Sequence, residues 1–200
     1  MPNVTEISDE AYADAIAERI YQIRQLDEQM LVLFNYKKAM FDVSELLVEM
    51  DLHHLTQEKN GTAYNVKRRF ERGESHILLG TGAFWEGVDF VQSDKMIEVI
   101  TRLPFENPKD LFVQKISNHL LAQAKSPFND YSLPLAILKL KQAIGRTMRR
   151  ENQRSAVLLL DPRILTKSYG KIISDALSEE FYISHQKFSK SLTEIKNFLL

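Results

Sequence analysis

Four short apolar runs, separated by segments of helical periodicity, constrain the fold of this chain more than any other feature. The runs are Met30–Asn35 (MLVLFN), His76–Leu79 (HILL), Lys95–Thr101 (KMIEVIT) and Ser155–Asp161 (SAVLLLD). Continuous apolar runs of this length are typical of parallel strands that are buried on both faces. Buried strands that alternate with helices predict an α/β fold, with a mostly parallel sheet and helices on both faces.

The segments between these runs supply the predicted helices. Apolar residues recur at helical spacing in five internal segments. These segments are Lys37–Met50, Tyr64–Arg72, Leu111–Lys125, Leu133–Arg150 and Tyr169–Leu177. A short strand is predicted over Asp51–Leu55. The 200 residues contain no repeat and no low-complexity linker, so we predict one domain over 1–200, with an N-terminal helix within 1–28 and a helical tail over 181–200.

Composition excludes several classes of site. The chain has no cysteine, which rules out disulfides, thiolate zinc sites and iron–sulfur ligation within it. Its five histidines form no i,i+4 pair on a predicted helix, so no metal site is predicted. The sequence has no apolar window of membrane-spanning length and its acidic start does not resemble a signal peptide. We therefore expect a cytoplasmic protein with no membrane partner.

Charge is unevenly distributed along the chain. The formal net charge is −1, but residues 1–60 carry −7 and the remainder carries +6. The segment Lys139–Arg154 alone holds six basic residues against one acidic residue, Glu151. This pattern indicates a local basic site on a nearly neutral body, weaker than the basic surface of a dedicated nucleic-acid-binding domain.

The basic segment contains the spacing Gln142–x–x–Gly145–Arg146–x–x–Arg149 within a predicted helix. Residues three or four apart share a helix face, and glycine lets another group approach that face closely. Two guanidiniums on one face suit a polyphosphate, because each offers a planar fork of donors and a permanent charge. A solvated basic helix face is the alternative interpretation.

A second motif, Leu79–Phe90 (LGTGAFWEGVDF), follows a predicted strand. It does not fit a dinucleotide-binding loop, since Gly80–x–Gly82 is followed by Trp85 where the third glycine belongs. It does not fit a P-loop either, because Val88 stands where the lysine is required.

What remains in this motif is an aromatic pair beside two acids, Phe84–Trp85 with Glu86 and Asp89. Its position after a strand places it at the carboxyl edge of a parallel sheet, where α/β proteins bind ligands. Packing of both rings in the core, with the acids capping a helix, is the alternative interpretation.

In chain order, the FWEGVD motif and the QxxGRxxR motif resemble motifs V and VI of superfamily 2 helicases. The FWEGVDF sequence in particular resembles the DinG/XPD branch. Three further stretches agree with that branch. LVLFNYKKAM (Leu31–Met40) resembles motif IV, RLPFENP (Arg102–Pro108) resembles its KLPF-type loop, and DPRIL with KSYGK (to Lys171) resembles its end. The resemblance covers roughly Met30–Leu177.

The resemblance implies a single RecA-like domain, the second of two helicase lobes. In such helicases ATP lies in the cleft between the lobes and single-stranded nucleic acid crosses their top. ATP and Mg²⁺ would be held mainly by a first lobe that is absent from this sequence. The implied partners are single-stranded DNA, that first lobe and, in some relatives, a fused exonuclease domain.

The resemblance also assigns roles to individual residues. The implied catalytic residues are the arginine fingers Arg146 and Arg149 together with Gln142. The implied nucleotide-binding residues, which couple the cleft to DNA, are Glu86, Gly87, Asp89 and Gly145. The implied DNA-binding residues are Asn35, Tyr36, Lys37, Thr81, Phe84, Trp85 and Arg102. For Trp85 the core interpretation stays open beside base stacking.

Three functional interpretations follow. The first is the motor lobe of an ATP-dependent DNA helicase that is inactive alone. The second is a nucleotide-sensing lobe that regulates a fused exonuclease, and the third is a non-catalytic nucleic-acid-binding module. The arginine spacing favours the first two, because a simple binding module does not require it.

Overall fold

A computed structural model describes residues 8–86, 88, 90, 94–147 and 153–200, with Glu86 described by its backbone only. Within these residues, parallel strands form one five-stranded sheet in the order β2-β3-β1-β4-β5. The strands are β1 (Met30–Leu33), β2 (Leu55–Thr56), β3 (Ile77–Gly80), β4 (Lys95–Ile100) and β5 (Arg154–Leu159). The predicted α/β fold with a parallel sheet is confirmed.

Helices connect the strands and cover both faces of the sheet. In chain order they are α1 (Asp9–Arg24), α2 (Lys37–Glu49), α3 (Ala63–Glu71), α4 (Ala83–Glu86), α5 (Leu111–Ala122), α6 (Leu133–Arg146), α7 (Arg163–Thr166), α8 (Ser168–Ser178) and α9 (Phe188–Leu199). Side chains cap several of these helices, as when the Ser8 hydroxyl accepts a hydrogen bond from the amide of Ala11 at the start of α1. None of the helices in the described ranges is both long and apolar enough to cross a membrane.

The hydrophobic core forms two layers, one on each face of the sheet. Alternation along β1 shows the division, because Met30 and Val32 face one layer while Leu31 and Leu33 face the other. The first layer is covered by α1, α2 and α9, and the second by α3, α4, α6 and α8. Both faces are therefore buried, which explains why the strand sequences are apolar without alternation.

The described residues differ from the predicted elements at several places, and the short helix α7 is one element that the sequence did not predict. The short strand expected over Asp51–Leu55 is confined to β2, because Asp51 adopts a left-handed conformation with φ of 55° that ends helix α2. The loop after β3 contains the single-turn helix α4, and Phe128–Ser132 forms one turn of π-helix where irregular structure was expected. Each of these features depends on local backbone geometry that hydrophobic periodicity does not report.

The two ends of the described chain pack on the same sheet face. Helix α1 lies within the predicted 1–28 segment, and α9 forms the later part of the predicted tail 181–200. Ile195 and Leu199 of α9 join the core layer that α1 also covers. The tail therefore contributes to the hydrophobic core of this domain.

Candidate functional site

The carboxyl ends of β1, β4 and β5 meet at one edge of the sheet and line a pocket of about 170 Å³. Asn35 and Tyr36 follow β1, Arg102 follows β4, and Arg163 begins the short helix after β5. The remaining lining residues are Leu103, Phe105, Glu106 and Pro108. We call this set the edge pocket. Three of the predicted DNA-binding residues, Asn35, Tyr36 and Arg102, are thus brought together.

The floor of the edge pocket is fixed by hydrogen bonds to the Leu103 backbone. Its carbonyl accepts a hydrogen bond from Asn35 Nδ2 at 2.8 Å, and its amide donates to Asp161 Oδ2 at 2.9 Å. The other amide atom, Asn35 Oδ1, is buried and has no hydrogen-bond partner among the described residues. A buried polar atom without a partner is costly, and Asn35 is also a lining residue of the edge pocket.

Arg102 supplies the positive charge of the edge pocket. Its guanidinium carbon lies 3.9 Å from the centre of the Tyr12 ring, a cation–π contact with helix α1. The Tyr12 hydroxyl donates to the main-chain oxygen of Thr101 at 3.1 Å, and burial raises the pKa of this phenol. In the described part of the chain Arg102 pairs with no carboxylate, and its buried Nε has no acceptor. The pocket therefore presents an uncompensated cation.

Lys37 and Thr81, two further predicted DNA-binding residues, lie outside the edge pocket. The Lys37 ammonium pairs with Glu58 at 2.7 Å, with the lysine side chain 60% exposed. An exposed ion pair of this kind contributes little and can exchange its partner for a phosphate. Thr81 is buried after β3, and its amide donates to Gln57 Oε1 at 2.9 Å.

Phe84 and Trp85 are packed in the core rather than exposed for base stacking. Trp85 is only 5% exposed, and its indole N–H donates to the main-chain oxygen of Phe34 at 2.8 Å. Phe84 stacks against Phe90, with 6.2 Å between ring centres, and lies so close to Gly80 that any Cβ there would collide with its ring. The packing interpretation holds for both residues in this structure, because no ring face is available to a base.

The predicted finger helix is α6, and its described residues differ in exposure. Gln142 is exposed, and the space beyond Gly145 is open, since an added Cβ would meet nothing within 4 Å. Arg146 is 7% exposed, and its Nη1 donates to the main-chain oxygen of Phe84 in α4. Arg146 thus links the QxxGRxxR helix to the FWEGVD segment.

Several predicted residues lie outside the described part of the chain. These are the second finger, Arg149, the residues Gly87 and Asp89, and the side chain of Glu86. Their expected roles stay predictions.

Glu98, on the internal strand β4, is a buried carboxyl group beneath the end of α6 that motif reasoning did not single out. It is 0% exposed, and its Oε2 accepts a hydrogen bond of 3.4 Å from the Thr147 hydroxyl. Its second oxygen, Oε1, has no partner within the described ranges. Burial raises the pKa of Glu98 to about 8, although the positive charge of Arg146 acts in the opposite direction. One signal existed in the sequence, since KMIEVIT places an acid within an apolar strand.

Comparison with known proteins agrees with this arrangement. The family model described as "helicase C-terminal domain" matches residues 18–180. The chain belongs to the helicase C-terminal domain family, in its DinG/XPD branch. A curated relative named "3'-5' exonuclease DinG" from Bacillus subtilis (strain 168) is 37% identical over 159 residues, which are 77% of this chain and 17% of that protein. The relative of the same name from Staphylococcus aureus (strain bovine RF122 / ET3-1) is 31% identical over 196 residues, or 94% of this chain and 21% of that protein.

Solved helicase structures share the fold of this helicase C-terminal domain. An XPD helicase structure superposes with a TM-score of 0.63 at 19% identity, covering 89% of this chain and 32% of that chain. The C-terminal domain of the DEAD-box protein Dbp5 superposes with a TM-score of 0.52 at 15% identity, covering 93% of this chain and 90% of that chain. The predicted RecA-like fold of a second helicase lobe is thereby confirmed. The chain spans about a fifth of the length of the curated relatives it matches.

Proposed function

We propose that this domain is the C-terminal motor lobe of a DinG-like ATP-dependent DNA helicase and that its edge pocket forms part of the path for single-stranded DNA. The observation that carries the DNA path is Arg102, a cation without a carboxylate partner in the described chain, beside the unpartnered amide oxygen of Asn35. A phosphodiester satisfies the guanidinium, and a bridging water can satisfy the amide oxygen. Binding through such contacts is indifferent to base sequence, as a translocating motor requires.

The nucleotide side of the proposal rests on the QxxGRxxR helix. The exposed Gln142 and the open surface at Gly145 leave this helix face accessible to a nucleotide held by another lobe. Arg146 and Arg149 are proposed as the arginine fingers, which neutralise charge that develops on the transferred phosphoryl group. ATP and Mg²⁺ would be held mainly by the first lobe. For Arg146 this role requires that its bond to the Phe84 carbonyl be exchanged for one to phosphate when the lobes close.

The link between Arg146 and Phe84 suggests how the two sites communicate. Phe84 and Trp85 belong to α4. The Trp85 indole donates a hydrogen bond to the main-chain oxygen of Phe34, which follows β1 and directly precedes Asn35. Movement of Arg146 toward a nucleotide would break its hydrogen bond to the Phe84 carbonyl in α4. The residues that border the edge pocket would then shift. Nucleotide state and DNA contact would thus be coupled through a short series of packed groups.

Fluorescence anisotropy with a labelled oligo(dT) tests the DNA path. We expect weak binding that falls steeply between about 50 and 200 mM salt, because phosphate contacts dominate. Arg102→Gln is expected to weaken binding by about tenfold and to lower the salt dependence by about one counterion. Arg68→Gln, on the exposed surface of α3, is the matched control and should bind as the parent does. Equal affinities for both variants would contradict the proposed path.

A second candidate function is regulation of a nuclease by the nucleotide state of this lobe. The curated relatives carry the name "3'-5' exonuclease DinG", and this chain matches only 17–21% of their length. In a full-length protein, Arg149→Ala would then alter ATP-dependent control of DNA degradation rather than unwinding. Measurement of both activities with and without ATP separates the two functions.

A further inference from the structure

Arg163 lines the edge pocket together with Arg102 but follows a different strand, β5 instead of β4. It begins α7, two residues after Asp161, and its side chain is 17% exposed. Asp161, in contrast, has a fully buried side chain at the end of β5. No pattern in the sequence gave either side chain a role in ligand binding.

One buried carboxylate fixes the orientation of the Arg163 guanidinium. Nε of Arg163 donates to Oδ1 and Oδ2 of Asp161 at 3.0 Å each, and Nη2 donates to Oδ2 at 2.6 Å. The Arg163 amide also donates to Oδ1 at 3.0 Å. These bonds hold the planar guanidinium in one orientation, and Nη1 makes no hydrogen bond to that carboxylate.

Asp161 also fixes the part of the pocket that carries Arg102. Its Oδ2 accepts the amide of Leu103, the residue next to Arg102, and Asn35 holds the carbonyl of the same residue. The carboxylate is thus shared between the two arginine-bearing segments. A change at Asp161 would disturb both cations of the pocket together.

We propose that Arg163 is a second phosphate-binding residue of the edge pocket and that Asp161 is its positioning residue. With Arg102, it would hold the backbone of single-stranded DNA between two guanidiniums from the segments that follow β4 and β5. This inference rests on the proposed DNA path and extends it to residues of the DPR segment. An arginine already ordered by Asp161 loses less conformational freedom when it binds phosphate than a free arginine does.

The charges around the pocket permit this role. Glu106 also lines it, but its carboxylate pairs with Lys139. Asp161 offsets the charge of Arg163, and Arg102 keeps its charge uncompensated in the described chain. The pocket is therefore positive overall. Because Asp161 offsets its charge, Arg163 contributes oriented N–H donors and little net charge.

The test measures oligo(dT) binding by the whole chain at two salt concentrations, with thermal unfolding followed for every variant. Arg163→Lys keeps the charge but loses the fork, so affinity should fall by about tenfold while the salt dependence stays unchanged. Arg163→Gln should weaken binding at least as much and lower the salt dependence by about one counterion. Arg68→Gln controls for the loss of an arginine elsewhere.

Asp161→Asn distinguishes positioning from simple charge. It removes a negative charge beside the DNA path, so an effect of charge alone would strengthen binding, whereas loss of positioning should weaken it several-fold. If Asp161→Asn does not fold, Arg163→Lys carries the test.

The outcomes separate this inference from the proposed function. If Arg102→Gln weakens binding while both Arg163 variants bind within twofold of the parent, the inference is overturned and the DNA path stands. Tighter binding by a folded Asp161→Asn would overturn the positioning role. If the parent chain does not bind and Arg102→Gln changes nothing, the DNA path itself fails.

Discussion

Replacing Glu98 by glutamine should stabilise this domain at pH 8 and leave its stability near pH 5 almost unchanged. Glu98 is completely buried, and burial raises its pKa to about 8 from an ordinary value of 4.5. Between these values the folded state retains a proton that the unfolded chain releases. The free energy of unfolding of the parent therefore falls as pH rises through this window.

The magnitude follows from the width of the window. Each pH unit costs at most about 1.4 kcal/mol, so a shift of this size has an upper limit of about 5 kcal/mol. Relaxation around an ionised Glu98 reduces this loss, and we expect a gain of roughly 2–4 kcal/mol for Glu98→Gln at pH 8. Glutamine keeps the shape of the protonated acid, which is why little change is expected near pH 5.

Urea denaturation followed by tryptophan fluorescence measures this effect, because the chain has a single tryptophan and it is buried. Free energies of unfolding would be compared for the parent and Glu98→Gln from about pH 5 to pH 8. Glu49→Gln, on the exposed face of α2, is the matched control. If the parent and Glu98→Gln give parallel pH profiles, the buried carboxyl group does not titrate as argued.

Three further predictions concern activity and packing. The chain alone should release no phosphate from ATP in a malachite-green assay with single-stranded DNA, because it has no P-loop; DNA-stimulated turnover would contradict a single-lobe function. In a full-length protein, Arg149→Ala or Arg146→Ala should lower the rate of ATP hydrolysis about a thousandfold while the affinity for nucleotide stays within about tenfold. Normal hydrolysis by both variants would show that these residues are not arginine fingers. Trp85→Phe should destabilise the domain by about 1–3 kcal/mol in urea denaturation followed by circular dichroism, because the Phe34 carbonyl loses its donor, and an unchanged midpoint would refute that bond.

Local sequence patterns determined the fold class and the family of this domain. The apolar runs at Met30–Asn35 and Lys95–Thr101 predicted buried parallel strands, and the sheet contains them with both faces covered. The order of the motifs predicted a helicase lobe of the DinG/XPD type, which the family comparison confirms. Strand periodicity and motif order can be read along the chain because each depends on residues that are close in sequence.

Part of the edge pocket could also be predicted from sequence. Asn35 ends one predicted strand and Arg102 follows another, and the carboxyl ends of parallel strands share one edge of a sheet. Sequence could not show that Tyr12, far earlier in the chain, supports Arg102 from helix α1. That contact depends on how α1 packs across the sheet.

Burial decided the remaining assignments. The FWEGVD wording left Trp85 equally suited to stack on a base or to fill the core, and only the fold of α4 against β1 placed it inside. Likewise, no sequence pattern assigned Asp161 and Arg163 a role in binding, whereas the structure shows one carboxylate holding both Leu103 and the guanidinium. The environment of a side chain is set by elements distant in sequence, so its exposure, its charge state and its partners are properties of the tertiary structure.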